Sequence, residues 1–332
     1  CGMRNANDFR SLRTPHSAFH TEGGFALLAV MLVLALLGTL VAEFAFSMRL
    51  EATMVRSYRE SVIGLHLAEA AVEQAIREIL TDAPLQGFTG EEPLLTFFRS
   101  PAQPLPRLPR ADVVLGPGQF GYRITDEEGR LNLNSAPPDR VDRLLMTLGM
   151  DKELRDTIND SLQDWKDPND LHRLNGAESE DTYLRLPVPY RARNGPLEEV
   201  AELLQIKGVT PALYFGSAGQ PGLAEFVTVR GRGQVNINTA PEPVLKALGL
   251  SEAEVSEIVQ SRRIAPYATV PARFAGRGLS VGSRTFRVEA AGWMGGEMRI
   301  RVLAIAEKTI EAQRGSPAVV IRSWNPNPSV GR

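Results

Sequence analysis

Two oxygen-rich stretches are where side chains of this sequence could do chemistry: Asp164-Trp165-Lys166-Asp167-Pro168-Asn169-Asp170 and, after a short spacer, Asn175-Gly176-Ala177-Glu178-Ser179-Glu180-Asp181. Carboxylates, amides and carbonyls at that density are the donors of a calcium ion, which takes about six to eight hard oxygens. The ligand order of an EF-hand loop is absent, so composition by itself favours a solvated acidic loop. Asp126-Glu127-Glu128 offers adjacent carboxylates for acid–base work, but neighbours at the end of a strand read as a solvated turn. The histidines His16, His20, His66 and His172 are scattered, two near the N-terminus and one on a helical segment. No zinc site or His-based nucleophile pattern results, and catalysis is not expected. Trp165, Trp293 and Trp324 read as packing residues.

A third feature concerns covalent processing. Glu22-Gly23-Gly24-Phe25 turns within one residue from polar, glycine-broken sequence into FALLAVMLVLALLGTLVA, uncharged from Phe25 to Ala42. That run is long enough to cross a hydrocarbon core of about 30 Å as a helix. A cleavable secretory signal would be shorter and end in small residues, whereas Glu43 and Phe44 follow here. Arg4, Arg10 and Arg13 precede the run against Asp8 and Glu22, which places the N-terminus on the cytoplasmic side.

The apolar pattern continues past the span. No proline interrupts residues 49–80, and Val62, Leu65, Ala68, Val72, Ile76 and Ile79 recur at spacings of three and four, one stripe of a helix. A helix from Phe25 to about Leu80 would be on the order of 80 Å long, ended by Asp82 and Pro84. The chain of 332 residues carries net charge −2 and 43% hydrophobic residues, enough for one or two cores beyond the span. Nothing in that balance points to a polyanionic partner. Its single cysteine, Cys1, leaves no disulfide to staple the remainder.

An internal repeat follows. Gly129-Arg130-Leu131-Asn132-Leu133-Asn134-Ser135-Ala136-Pro137 matches Gly233-Gln234-Val235-Asn236-Ile237-Asn238-Thr239-Ala240-Pro241. Each alternates like a short strand and then enters a helix, with Ser135 or Thr239 as the expected N-cap hydroxyl and a proline in the first turn. Helix, glycine turn and second helix follow both, and residues 197–214 look like a third instance. This is the pattern of SAM-like or helix-hairpin-helix modules, some of which hold DNA phosphates. Phosphate capture calls for glycine-rich turns with basic support. The turns at Gly149, Gly208 and Gly249 have one glycine each, flanked by mixed charges that include Lys152, Glu153, Glu252 and Glu254. A membrane-anchored nucleic-acid binder is therefore the weaker reading.

The Gly24–Phe25 junction resembles the processing site of type IV prepilins and type II secretion pseudopilins. The junction together with ITDEEGRLNLNSAP, residues 164–214 and VNINTAPEPVLKAL resembles the minor pseudopilin K family from Gly23 to about Val320. The resemblance implies cleavage after Gly24 by the prepilin peptidase and methylation of Phe25. Most such chains carry Glu at the fifth mature position; this one has Ala29, a departure characteristic of the K class and fitting for a filament tip. The implied fold is a pilin-like α/β (α+β) domain, its long N-terminal helix on a small antiparallel sheet. A large all-α domain with two related repeats is inserted in it. The implied divisions are a leader over 1–24, the helix over 25–80 with 25–42 in the membrane, the α/β domain over 81–128 and 274–332, and the insert over 129–273. Expected strands are 119–125, 284–290, 298–306 and 318–324. Calcium is implied in the insert, with Asp167, Asn169, Glu178 and Asp181 as ligands and Asp164 and Asp170 next; Asn169 stands where Asp is usual. The implied partners are the minor pseudopilins I and J, reached through Val55, Val62, Leu65, Val72, Ile76 and Ile79, and the inner-membrane assembly platform. Contact with secreted substrates stays open, as does the rival reading of a minor type IV pilin.

Overall fold

The computed structural model describes residues 23–89, 94–217, 219–310 and 316–326. The expected leader falls, up to residue 22, outside the described residues. The chain divides between Arg59 and Glu60 into two compact units.

In the first unit the described residues are all helix, the beginning of α1 (Gly23–Ile79). Leu, Val, Ala and Phe side chains face outward all round it, and those from Phe25 to Tyr58 are exposed. From Phe25 to Ala42 the helix is apolar on every side, and it is long and apolar enough to cross a membrane.

In the second unit the remaining turns of α1 bury one stripe, Leu67, Ala68, Ala71, Val72, Ala75 and Ile79. After α1 come β1 (Leu85–Thr89), β2 (Leu94–Ser100) and β3 (Gln103–Pro104), an antiparallel three-stranded sheet. Then follow β4 (Val113–Leu115) and β5 (Gly118–Asp126). Next comes the segment with the repeat, which contributes six short strands, and last β12 (Thr285–Met294), β13 (Glu297–Ile310) and β14 (Pro317–Pro326). The main sheet is antiparallel throughout, ordered β14-β13-β12-β5-β4. Alternate residues face the helix, as the two-residue period of a strand requires. Phe120, Tyr122 and Ile124, Phe286, Val288 and Ala290, and Val302, Ala304 and Ala306 form one core with the α1 stripe. Where α1 crosses β12 the backbones nearly touch: a Cβ on Gly292 would stand 2.2 Å from the Gly64 carbonyl oxygen. At the helix end, buried Glu78 accepts from Arg110 at 3.1 and 2.5 Å and from the Tyr122 hydroxyl at 2.6 Å.

The segment between β5 and β12 has its own core. Its first repeat comprises β6 (Leu131–Asn132), α2 (Pro138–Thr147) and α3 (Lys152–Lys166). Then come α4 (Pro211–Phe215), the hairpin β7 (Gly216–Ser217) and β8 (Gln220–Pro221), and β9 (Val227–Thr228). The second repeat comprises β10 (Val235–Asn236), α5 (Glu242–Ala247), α6 (Glu252–Ile264) and β11 (Leu279–Ser280). The segment is not all-α: each repeat's alternating tetrapeptide pairs in parallel with a later stretch, β6 with β9 and β10 with β11. Both first helices end before a glycine with positive φ, +83° at Gly149 and +81° at Gly249, the left-handed residue that closes a helix.

The repeated asparagines explain why the motif recurs. Asn134 Nδ2 donates to Leu197 O and Val229 O while its Oδ1 accepts from Leu197 N. Asn238 does the same with Tyr267 O, Val281 O and Tyr267 N. Ser135 and Thr239 do not cap helices. Pro137 and Pro241 are the N-caps; the Ser135 hydroxyl turns back to Asn132 O, and the Thr239 hydroxyl donates to the Asp126 carboxylate. The third helical hairpin is also weaker than its sequence suggests: Val200–Gln205 is 3-10 helix and α4 has five residues.

Candidate functional site

The Gly24–Phe25 bond lies in the first described turn of α1, and Phe25 is 80% exposed. Of the helix residues expected to meet partners, Val55 is exposed, and Val62, Leu65 and Ile76 are half-buried. Val72 and Ile79 are 2% and 1% exposed. Their side chains pack on the sheet core, so they offer no surface to another subunit. The periodic stripe was the helix's inner face.

Asp126, Glu127 and Glu128 are not a solvated turn. All three are buried, and each is held by the repeat segment and the sheet. Asp126 accepts from Ser283 Oγ, Thr239 Oγ1 and Asn236 Nδ2 at 2.7, 2.6 and 2.9 Å. Glu127 pairs with Arg130 and Arg287, and Glu128 with Arg232 and the Thr285 hydroxyl. Burial outweighs the hydrogen bonds at Asp126 and raises its carboxyl pKa. At Glu127 burial pushes up too, but Arg130 and Arg287 prevail and the pKa falls. Every partner is internal, so the triad is a joint rather than a catalytic pair.

The oxygen-rich loop starts at the C-terminal end of α3. Asp164, on the last turn, is fully buried. Its Oδ1 accepts from Arg173 Nη1 at 2.5 Å and its Oδ2 from Ala177 N at 3.0 Å, with Arg173 N between them. Gly176 is required for this approach, since a Cβ there would lie 1.8 Å from Asp164 Oδ2. Asp167 accepts from Asn169 at Oδ1 and from Arg173 Nη1 at Oδ2. The side-chain oxygen of Asn169, Oδ1, accepts from Leu171 N. Asp170 accepts from Asn194. Asp181 accepts from Glu178 N at 3.0 Å and has His172 Nε2 at 3.4 Å.

Glu178 is the exception. It is 2% exposed, and neither carboxylate oxygen has a hydrogen-bond partner. Burial, then repulsion from Asp164, Asp167 and Asp170, pushes its pKa up to about 7. A buried carboxylate without a donor is costly, and a hard cation is the partner that its surroundings suit. Among the described residues no three His, Cys, Asp or Glu side chains form a ready-made metal cluster, so carbonyl or water oxygens have to complete any calcium shell. Asp164, Asp167, Asn169, Asp170 and Asp181 all accept hydrogen bonds from within the protein, and Glu178 is the one acid of the loop whose oxygens are left open. Sequence reading missed Arg173 and Gly176; the signal was a basic residue and a glycine inside an otherwise acidic loop.

Models of type II secretion system protein K match residues 125–216 and residues 235–286, the two stretches that contain the repeats. Type II secretion system protein K of Pseudomonas aeruginosa is 29% identical over 258 residues, covering 73% of this chain and 72% of its own. That of Pectobacterium carotovorum subsp. carotovorum is 29% identical over 271 residues, covering 73% and 75%. Over these stretches the chain is similar to type II secretion system protein K. The first matched stretch includes the whole loop from Asp164 to Asp181. Among solved structures, a chain of the GspK-GspI-GspJ complex from enterotoxigenic Escherichia coli aligns with TM-score 0.56 at 19% identity, over 84% of this chain and 100% of that one.

Proposed function

We propose that this chain is a minor pseudopilin that starts and limits a periplasmic pseudopilus as its tip subunit. The observation that carries the reading is Ala29 on an otherwise apolar helix, in a chain similar to type II secretion system protein K. A carboxylate within the bilayer persists only where a partner compensates it; a subunit without one has no neighbour ahead of it to engage. The N-terminus is cytoplasmic and the second unit periplasmic. Prepilin peptidase cuts after Gly24, Phe25 is methylated, and the subunit works by assembly rather than catalysis.

The partners are the minor pseudopilins I and J and the assembly platform, met through Val55 and the neighbouring exposed residues of α1. The unit over 129–273 is SAM-like in its paired helical hairpins. Its asparagines and acids serve internal contacts, which disfavours a role in holding DNA. The similarity to protein K favours type II secretion over a type IV pilus. Glu178, Asp167, Asp170 and Asp181 would hold a calcium ion, which would supply the further positive charge that the acidic loop lacks.

The deciding experiment isolates the full chain from membranes with and without active prepilin peptidase and determines its N-terminal mass and its co-purifying subunits. A chain starting at methylated Phe25, lost without the peptidase and associated with I and J, is expected. An intact leader in both strains, or no association with I and J, would overturn the reading.

A further inference from the structure

The acidic loop already contains a cation. One nitrogen of Arg173, Nη1, lies 2.5 Å from Asp164 Oδ1 and 2.7 Å from Asp167 Oδ2, so a single guanidinium spans two carboxylates. The two acids differ in freedom. The Asp164 side chain is 0% exposed, fixed by Ala177 N and Arg173 N and shut in by Gly176. The Asp167 side chain is 21% exposed at the C-cap of α3, and the Arg173 side chain is 42% exposed, so this second link can open toward solvent. The third acid of the group, Glu178, closes no hydrogen bond among the described residues, with only the Ser179 backbone N–H lying near enough to oppose its raised pKa.

We infer that Arg173 is a resident counter-ion that competes with calcium for Asp167. This rests on the calcium reading above. Without metal, the guanidinium neutralises Asp164 and Asp167 and keeps the loop folded while Glu178 stays uncompensated. When calcium is held by Glu178, Asp167 turns from Arg173 to the ion and Arg173 keeps Asp164 alone. A fixed positive charge beside a cation site repels the ion, and losing its partner costs the guanidinium a charge-assisted bond. Arg173 thus trades calcium affinity for order in the empty state.

The test is calorimetric titration of the detergent-solubilised full chain with calcium chloride, together with thermal melts. R173Q should bind calcium about tenfold tighter than wild type, as expected for removing one like charge at close range. It should also melt lower without calcium and gain more from calcium. Wild type binding calcium with R173Q binding it equally or more weakly overturns the competition and leaves the calcium reading standing. Neither chain binding calcium overturns both. Because R173Q could fail to fold, wild type is also treated with phenylglyoxal with and without calcium and Arg173 modification is read by peptide mass. Faster modification in calcium is expected, and an unchanged rate overturns the inference.

Discussion

Asp126 at the end of β5 and Asn236 in the second repeat are 110 residues apart in sequence, yet the Asn236 amide donates to the Asp126 carboxylate at 2.9 Å. With Thr239 and Ser283 on the same oxygen, this one side chain joins the main sheet to the repeat segment. It is met only by neutral donors, although it is fully buried.

A pH dependence follows. Burial raises the folded-state pKa of Asp126, so the fold favours its protonated form. The stabilising contribution is complete below the unfolded carboxylate range and is lost as pH rises through the raised folded value. D126N, which cannot ionise, should remove that drift. Melting temperatures of both chains from about pH 4 to about pH 8 should therefore differ by an amount that changes with pH; parallel curves would show that Asp126 does not titrate with folding.

The asparagine staples should behave alike in the two repeats. N134A and N238A each remove two bonds to backbone carbonyls and one from a backbone N–H. Leaving such groups unpaired costs about 2–3 kcal/mol in total. Denaturant unfolding of each variant should show losses of that size, and N238D should fare no better, because its oxygen would face the carbonyls of Tyr267 and Val281. A loss confined to one variant would contradict the equivalence of the repeats.

The contrast between these residues and the acidic triad shows what the sequence made legible. The helix, the four longer strands and the repeat could be read because each has a period or a recurrence. The repeat advertised Asn134 and Asn238 by repeating them. β1 and β2 were missed because Leu95, Phe97 and Phe98 are buried without a clean alternation. The burial of Asp126, Glu127 and Glu128 was illegible because, apart from Arg130, their side-chain partners Asn236, Thr228, Arg232, Ser283, Thr285 and Arg287 lie about 100 residues or more away. In the acidic loop, composition marked the carboxylates but not their environments; the fold shows that Asp164, Asp167, Asn169, Asp170 and Asp181 already accept hydrogen bonds and that Glu178 does not.

Close approach of α1 to β12 gives a steric prediction. An alanine methyl at Gly292 would meet the Gly64 carbonyl oxygen at 2.2 Å and Leu67 Cβ at 2.9 Å. Backbone and a packed side chain must then shift, at about 1–3 kcal/mol. Gly195, where a Cβ meets nothing nearer than 3.9 Å, is the control. G292A should lower the melting temperature markedly while G195A leaves it nearly unchanged, and equal effects would refute the tight helix–strand contact.

Glu178 allows a test whose two arms have opposite signs. Its carboxylate is buried without a donor, and its pKa is pushed up to about 7, so above that pH the metal-free fold holds an uncompensated charge beside Asp164 and Asp167. Replacing it with the neutral isostere in E178Q relieves the repulsion and gives those acids an amide donor. The variant should therefore melt higher than wild type in chelator at about pH 8. Calcium should raise the wild-type melting temperature by mass action and leave E178Q where it was, since the open ligand is gone. A structural carboxylate unrelated to metal would give a destabilised variant and no calcium response in either chain. An ordinary surface effect of calcium would raise both chains equally. Only a cation site centred on Glu178 makes the substitution stabilising in chelator and removes the calcium response.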